Sequence, residues 1–183
     1  IWTGDLESDV GKSMINCDSS GPLSLMIVKI WMDPHAGEVA VGRVYSGSIK
    51  HGESVWALGA AKAERVQQVS MMVGGDRIAV SEVSAGNIAA LTGIKSAAAG
   101  VTITRNKDDT GFEPIRHYSE PVVTVAVEPQ SMKDLPKFID ALRSLAKADA
   151  SLQVSTNAET GEALLAGMGE LHLEITTYRI EEE

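Results

Sequence analysis

The chain has 183 residues, 44% apolar and 22% charged, a balance that suits a folded globular protein and excludes a disordered one. Sixteen Lys and Arg against 25 Asp and Glu leave a net charge of −9, which excludes a uniformly basic nucleic-acid coat but not a local basic patch. The single cysteine, Cys17, excludes a disulfide framework and a cysteine-built zinc site and suits a reducing, cytoplasmic setting. The longest charge-free run, residues 83–94, spans 12 residues, so no membrane-spanning helix is expected.

The chain opens Ile1-Trp2-Thr3-Gly4-Asp5, with no initiator methionine and no signal-peptide pattern, and reads as a piece of a longer protein. Residues 1–21 are polar and punctuated by Gly4, Gly11 and Gly21. They read as a lead-in that needs support from elsewhere. Residues 23–32 are nearly continuously apolar, the pattern of a strand buried on both faces. Asp33-Pro34-His35-Ala36-Gly37 is a turn, with Pro to set φ and Gly to permit a positive one. Short strands follow at 39–45, 54–58, 65–71, 77–80 and 87–91, separated by Gly47, Gly52, Gly59, Gly74-Gly75 and Gly86. Short strands at this spacing with glycine turns predict a small closed barrel over residues 22–111.

Composition shifts near residue 106, where Asn106-Lys107-Asp108-Asp109-Thr110-Gly111 forms a polar loop and residues 112–119 a linker. Residues 122–127 then alternate as a strand. Leu135, Phe138, Ile139, Leu142 and Leu145 lie on one helical face, and Pro136 places the helix start at an Asp134 N-cap. Residues 152–156 and 163–166 form a hairpin about Asn157-Ala158-Glu159-Thr160-Gly161. Gly167-Met168-Gly169 opens a second helix with Leu171, Ile175 and Tyr178 on one stripe. The order β-α-β-β-α over residues 120–183 is a split-βαβ, ferredoxin-like pattern lacking its last strand. The fold class is therefore mainly β plus α+β. Its first strand is expected to be a sticky edge, covered by a second copy of the chain or by residues 1–21. Charge divides unevenly: residues 1–118 hold 11 basic and 13 acidic groups, and residues 119–183 hold 5 and 12, a net −7.

No internal chemistry is signalled. Gly11-Lys12-Ser13 imitates the end of a phosphate loop, but the glycine required five residues earlier is Leu6. Gly167-Met168-Gly169 lacks the third glycine of a dinucleotide fingerprint and reads as close strand–helix packing. His35, His51, His117 and His172 show no metal-ligand spacing. Glu170 and Glu174, four apart, read as a solvent-facing stripe. The barrel's cations, Arg43, Lys50 with His51, Lys62, Arg65 and Arg77, form a loose set that is either scattered surface charge or one binding face. No catalytic residue, cofactor site or metal site is expected in this chain.

Several motifs carry a family likeness. Asp33-Pro34-His35-Ala36-Gly37-Glu38-Val39-Ala40-Val41-Gly42-Arg43-Val44-Tyr45-Ser46-Gly47 and Ala85-Gly86-Asn87-Ile88-Ala89-Ala90-Leu91-Thr92-Gly93 resemble the domain II barrel of translational GTPases. Arg116-His117-Tyr118-Ser119-Glu120-Pro121-Val122-Val123 resembles the entry to domain III. Glu159-Thr160-Gly161-Glu162-Ala163-Leu164-Leu165-Ala166-Gly167-Met168-Gly169-Glu170-Leu171-His172-Leu173-Glu174 resembles the most specific motif of that domain in the elongation factor G and 2 family. Ile1-Trp2-Thr3-Gly4-Asp5-Leu6 resembles the exit from the GTPase domain, and the barrel wording is most similar to the archaeal branch. The resemblance implies part of a GTP-driven ribosomal translocase, whose GTP and Mg belong to a GTPase domain that this chain lacks. It implies partners in the ribosome, through small-subunit rRNA and a ribosomal protein, and in the GTPase and tip domains of the parent chain, with no membrane. Arg43, Lys50, His51, Arg65, Arg77, Glu170 and His172 become candidate ribosome or interdomain contacts. A freestanding small β-barrel that binds RNA or protein is the alternative.

Overall fold

The computed structural model describes residues 1–33, 35–113, 120–129, 131–149, 151–158 and 160–182, in two units, residues 1–115 and 116–183. The linker and the domain-entry motif therefore lie outside the described residues from 114 to 119.

In the first unit a short helix, α1 (Asp9–Ile15), precedes ten strands: β1 (Ser24–Asp33), β2 (Gly37–Ser46), β3 (Ser48–Lys50), β4 (Ser54–Ala57), β5 (Glu64–Arg65), β6 (Gln68–Val73), β7 (Asp76–Ala79), β8 (Glu82–Ser84), β9 (Ile88–Thr92) and β10 (Thr102–Thr104). Eight of them form one sheet in the order β5-β4-β10-β1-β2-β9-β6-β7, while β3 pairs with β8. The segment running through β5 and β6 closes the barrel. Its start pairs with β4 and its end with β9, and between them Val66 N–H donates to Glu53 O and Gln67 N–H to Thr92 O, each at 2.9 Å. Closure leaves few edges to template aggregation. Leu25, Ile27, Ile30, Val44, Val69, Leu91 and Ile103 fill the interior at no more than 1% exposure, each contributing about 1.5–3 kcal/mol of burial.

One expectation needs correction here. Residues 23–32 are not buried on both faces. The register slips between Ile27 and Lys29, and this bulge turns Val28 and Trp31 outward, 55% and 44% exposed. An inserted residue breaks the period of two, so an unbroken apolar run does not mean two covered faces. The lead-in finds its support on the barrel. Ser8 Oγ accepts the Gly11 N–H and caps α1. Thr3 N–H donates to Gly111 O at 3.3 Å, Glu113 N–H to Ile1 O at 2.7 Å, and Gly47 N–H to Asp18 O at 2.8 Å. The lead-in is thus held on the barrel unit.

The second unit comprises β11 (Val123–Val127), a 3₁₀ turn (Met132–Asp134), α2 (Leu135–Ala148), β12 (Gln153–Thr156), β13 (Ala163–Gly167) and α3 (Glu170–Glu182). Asp134 takes the N-cap position with Pro136 in the first turn, but its side chain makes no capping bond; Ser131 instead caps the 3₁₀ turn. The sheet order is β11-β13-β12, antiparallel, so β11 is an edge. Leu142 and Leu145 of α2, Leu165 of β13 and Leu173 of α3 form the core with Val123, Val125 and Val127 packed against it. The α3 stripe is not the face that packs. Leu171, Ile175 and Tyr178 are 68%, 47% and 60% exposed, and the helix instead buries Leu173 and Thr176 and packs Ile180. The packed face is narrow and partly polar, and Thr176 and Thr177 satisfy their hydroxyls on the helix's own carbonyls of His172 and Leu173.

Candidate functional site

Three of the sequence-predicted cations meet at one turn of the barrel. Lys50 ends β3 and the chain turns through residues 50–53 into β4, with Gly52 at φ +76°. Arg65 on β5 reaches across, its Nε donating to Gly52 O at 3.0 Å. Its Nη2 would stand 3.3 Å from a Cβ at position 52, so glycine lets the guanidinium lie over the turn. Arg105, just after β10, braces the other side. Its Nη2 donates to Ser48 O at 2.9 Å and its Nε pairs with Glu53 Oε1. Glu53 Oε2 accepts the Lys50 N–H at 3.0 Å. Lys50 Nζ lies 3.6 Å from Glu82 Oε1, and His51 is exposed, its N–H donating to Ser81 O. A hydrogen bond from Ser48, with Lys50 and Arg105 nearby, holds the Glu82 carboxyl below its usual range. Three permanent cations and a histidine thus face two carboxylates, and the backbone bonds fix the guanidinium forks in place.

Arg43 and Arg77 are held elsewhere. Arg43 projects from β2 over the Tyr45 ring at 5.2 Å, and Tyr45 packs on Phe112 with centroids 4.7 Å apart. Arg77 on β7 pairs with Asp33 at 3.4 Å, both less than a third exposed. Asp33 also accepts the Ala36 and His35 N–H groups at 2.9 Å, and these, with Arg77, keep its carboxyl below the usual range. Arg77 therefore ties β7 to the end of β1. Glu170 starts α3 and is exposed, favourable at the positive end of the helix dipole. His172 is turned inward, with Nδ1 accepting the Met168 N–H at 3.2 Å and Nε2 3.1 Å from Asp149 Oδ2.

Sequence reasoning missed Arg105, and also Lys107, whose Nζ lies 5.9 Å over the Trp56 ring. Both fall where the composition turns polar, and only the pairing of β10 with β4 brings them beside the 50–53 turn and Trp56. The residues do not fit a nucleotide site at Gly11-Lys12-Ser13. Gly11 lies within α1, where a Cβ would meet Asp5 O at 2.6 Å, which is helix packing and no anion cradle. Gly167 is likewise a packing glycine, with a Cβ falling 2.8 Å from Leu173 Cδ2. Among the described residues no three His, Cys, Asp or Glu side chains converge as metal ligands, and no helix is long and apolar enough to cross a membrane.

Two family models match the chain: Elongation factor G domain 2 over residues 22–106 and Elongation Factor G, domain III over residues 118–183. Elongation factor 2 of Picrophilus torridus is 55% identical over the whole chain, and that of Methanosarcina mazei 54%. The chain spans 25% of the length of each. A crystal structure of a Thermus thermophilus protein superposes with a TM-score of 0.72 at 31% identity, covering 88% of this chain and 24% of the other. The chain belongs to the elongation factor G and elongation factor 2 family, of which it comprises domains II and III.

Proposed function

We propose that this chain is the ribosome-docking and interdomain-relay part of a GTP-dependent translocase working in the cytoplasm. The parent factor binds GTP with Mg in a separate GTPase domain, and residues 1–183 carry neither nucleotide nor catalytic chemistry. The observation that carries the reading is the braced turn of Lys50, His51, Arg65 and Arg105. Fixed guanidinium forks on a barrel rim suit phosphate oxygens, and contacts of that kind position a protein on rRNA. Arg43, exposed over Tyr45 and apart from that turn, offers a further cation. Arg77, engaged by Asp33, serves the fold. The acidic second unit, at −7, is repelled by bare rRNA and suits a basic ribosomal protein or the other domains of the parent factor. Its free β11 edge is read as the place where a second copy of the isolated chain associates.

Co-sedimentation with small ribosomal subunits across a salt series tests the docking. Three phosphate contacts give a log–log salt slope of about −2.7, or roughly 40-fold weaker binding between 50 and 200 mM. Arg65→Ala is expected to flatten the slope by about one. Binding that ignores salt, or that Arg65→Ala leaves unchanged, overturns the assignment. Titration with Mg·GTP is expected to give no saturable heat, and a stoichiometric isotherm would refute the division of labour.

A further inference from the structure

Three segments of the second unit meet at one imidazole. Nδ1 of His172 lies 3.2 Å from the Met168 amide nitrogen and Nε2 lies 3.1 Å from Asp149 Oδ2. These contacts dictate the tautomer. The Met168 N–H is a donor, so Nδ1 presents its lone pair, and the single proton of the neutral ring sits on Nε2, aimed at the carboxylate. Asp149 is held in turn. Its Oδ1 accepts both the Ser151 N–H and the Ser151 hydroxyl, and its own N–H closes α2 on Leu145 O at 2.9 Å. Gly167 makes room for the ring, since a Cβ there would stand 2.9 Å from Nδ1. The imidazole is 23% exposed, so water can deliver a proton.

We infer that His172 is a proton-operated joint: neutral, it holds the residue 167–169 turn and the start of α3 against the end of α2; protonated at Nδ1, it releases Met168 and keeps Asp149. A proton on Nδ1 removes the only lone pair facing the Met168 N–H, while the new charge strengthens the bond to the carboxylate. Release is therefore one-sided. Asp149 is the ionisable group that meets the ring. Along the elements packed there, Lys147 lies in the last turn of α2, Glu170 and Glu174 lie two residues to either side of His172 on α3, and β12 and β13 carry no ionisable group. Burial pushes the Asp149 carboxyl up, but the Ser151 hydroxyl, the Ser151 N–H and His172 outweigh it and hold it below its usual range. The freed turn holds Gly167 and Gly169, and it sets the direction in which α3 presents exposed Leu171, Ile175 and Tyr178.

Long-range nitrogen–proton NMR correlation on the intact chain reads the tautomer directly. In the neutral ring the Nε2–H form is expected, and the Met168 amide shift is expected to change as the ring takes its second proton on acidification. Corrected amide exchange at Met168 is expected to rise about tenfold, the effect of losing one ordinary hydrogen bond. His172→Asn keeps an acceptor near the Nδ1 position and cannot titrate, so Met168 is expected to stay protected throughout. His172→Gln keeps a donor toward Asp149 only, so Met168 is expected to exchange fast throughout. An Nδ1–H tautomer at high pH, or a Met168 amide indifferent to the His172 titration, overturns the proposal. The wild-type titration decides alone if either variant fails to fold.

Discussion

Three glycines of the barrel unit separate the two reasons for lacking a side chain. Gly37, the first residue of β2, has φ +70° and nothing within 4 Å of a built Cβ. Gly42, within β2, has no such dihedral, but a Cβ would stand 2.4 Å from Met26 O and 2.8 Å from Leu25 Cδ2. Gly47, between β2 and β3, combines both: φ is +72°, with Gly21 O at 2.7 Å and Leu23 Cα and N at 2.9 Å. Substitution by alanine therefore measures conformation alone, crowding alone, and their sum. Left-handed backbone costs alanine about 1–2 kcal/mol, and the stiffer unfolded chain returns about 0.4–1 kcal/mol, so Gly37→Ala should destabilise by about 1 kcal/mol. Overpacking costs about 1–3 kcal/mol, which puts Gly42→Ala at about 1–2 kcal/mol after the same return. Gly47→Ala suffers both effects, the left-handed backbone and the crowding against Gly21 and Leu23, about 2–4 kcal/mol. At about 4 °C per kcal/mol for a unit of this size, the expected falls in Tm are about 4, 4–8 and 8–16 °C. Trp2, Trp31 and Trp56 all lie in the first unit, so tryptophan fluorescence on heating and in urea reports its unfolding alone. A Gly47→Ala protein as stable as Gly37→Ala would show that the path from Gly21 to Leu23 yields freely, and the argument that the lead-in is pinned there would fail.

Further outcomes are expected elsewhere. Arg105→Ala unbraces the 50–53 turn and should weaken RNA binding more than Lys50→Ala does, because it also frees Ser48 O and Glu53; anisotropy titrations with a short RNA at fixed salt compare the two. Burial raises the Asp149 carboxyl, but the Ser151 hydroxyl, the Ser151 N–H and His172 outweigh it and hold it low. A depressed folded value means stability that is present at neutral pH and lost as pH falls below about 4. Acid unfolding of the second unit, followed by circular dichroism, should therefore be flatter in Asp149→Asn. Leu165, fully buried on the central strand of the second unit, should cost about 2–5 kcal/mol as alanine, read as an early urea transition with tryptophan fluorescence unchanged.

Periodicity made much of the fold readable. Glycine turns and short apolar runs announced the barrel strands, and the 3.6-residue stripe of Leu142 and Leu145 announced α2. What stayed hidden depended on contacts distant in sequence. The bulge after Ile27 is set by pairing with β2, and no local signal shows that Val28 faces outward. In α3 the apolar stripe of Leu171, Ile175 and Tyr178 is real, but Leu173 and two threonines do the packing. A hydrophobic pattern shows which face could be buried, not whether the described residues bury it. The basic site was half legible. Lys50, His51 and Arg65 stood out as cations between strands, whereas Arg105 acquires meaning only when β10 lies beside β4. His172 carried no spacing signal because its partner, Asp149, lies 23 residues away.

The β11 edge makes the most exposed claim about the isolated chain. One side of Val123–Val127 pairs with β13, and no strand among the described residues pairs with the other. An unpaired row of N–H and C=O groups on an uncharged, β-branched segment is a template for another strand. The sequence suits pairing with itself. A two-fold axis through Val125 sets Val123 against the partner copy's Val127 and Thr124 against its Ala126, with no like charges opposed. Glu120, Pro121, Glu128 and Pro129 confine the match to about five residues. Beside the edge, Val127, Phe138, Ala141 and Ile180, with Glu128, Asp140 and Glu181, line an open groove of about 1120 Å³ of mixed polar and apolar character. So short a contact buries less than the roughly 1,200 Å² of a stable interface, and a dissociation constant of about 0.1–1 mM follows. Two units at −7 repel each other, so added salt should tighten the dimer, opposite to its effect on RNA binding. Sedimentation velocity from about 10 μM to 1 mM, at low and high salt, measures both trends. Thr124 is exposed on the sheet face away from the helices, so Thr124→Lys should abolish dimerisation without a cavity in the core. A monomer at every concentration, a dimer weakened by salt, or one indifferent to Thr124→Lys would each show that this edge is protected in some way the backbone pairing does not reveal.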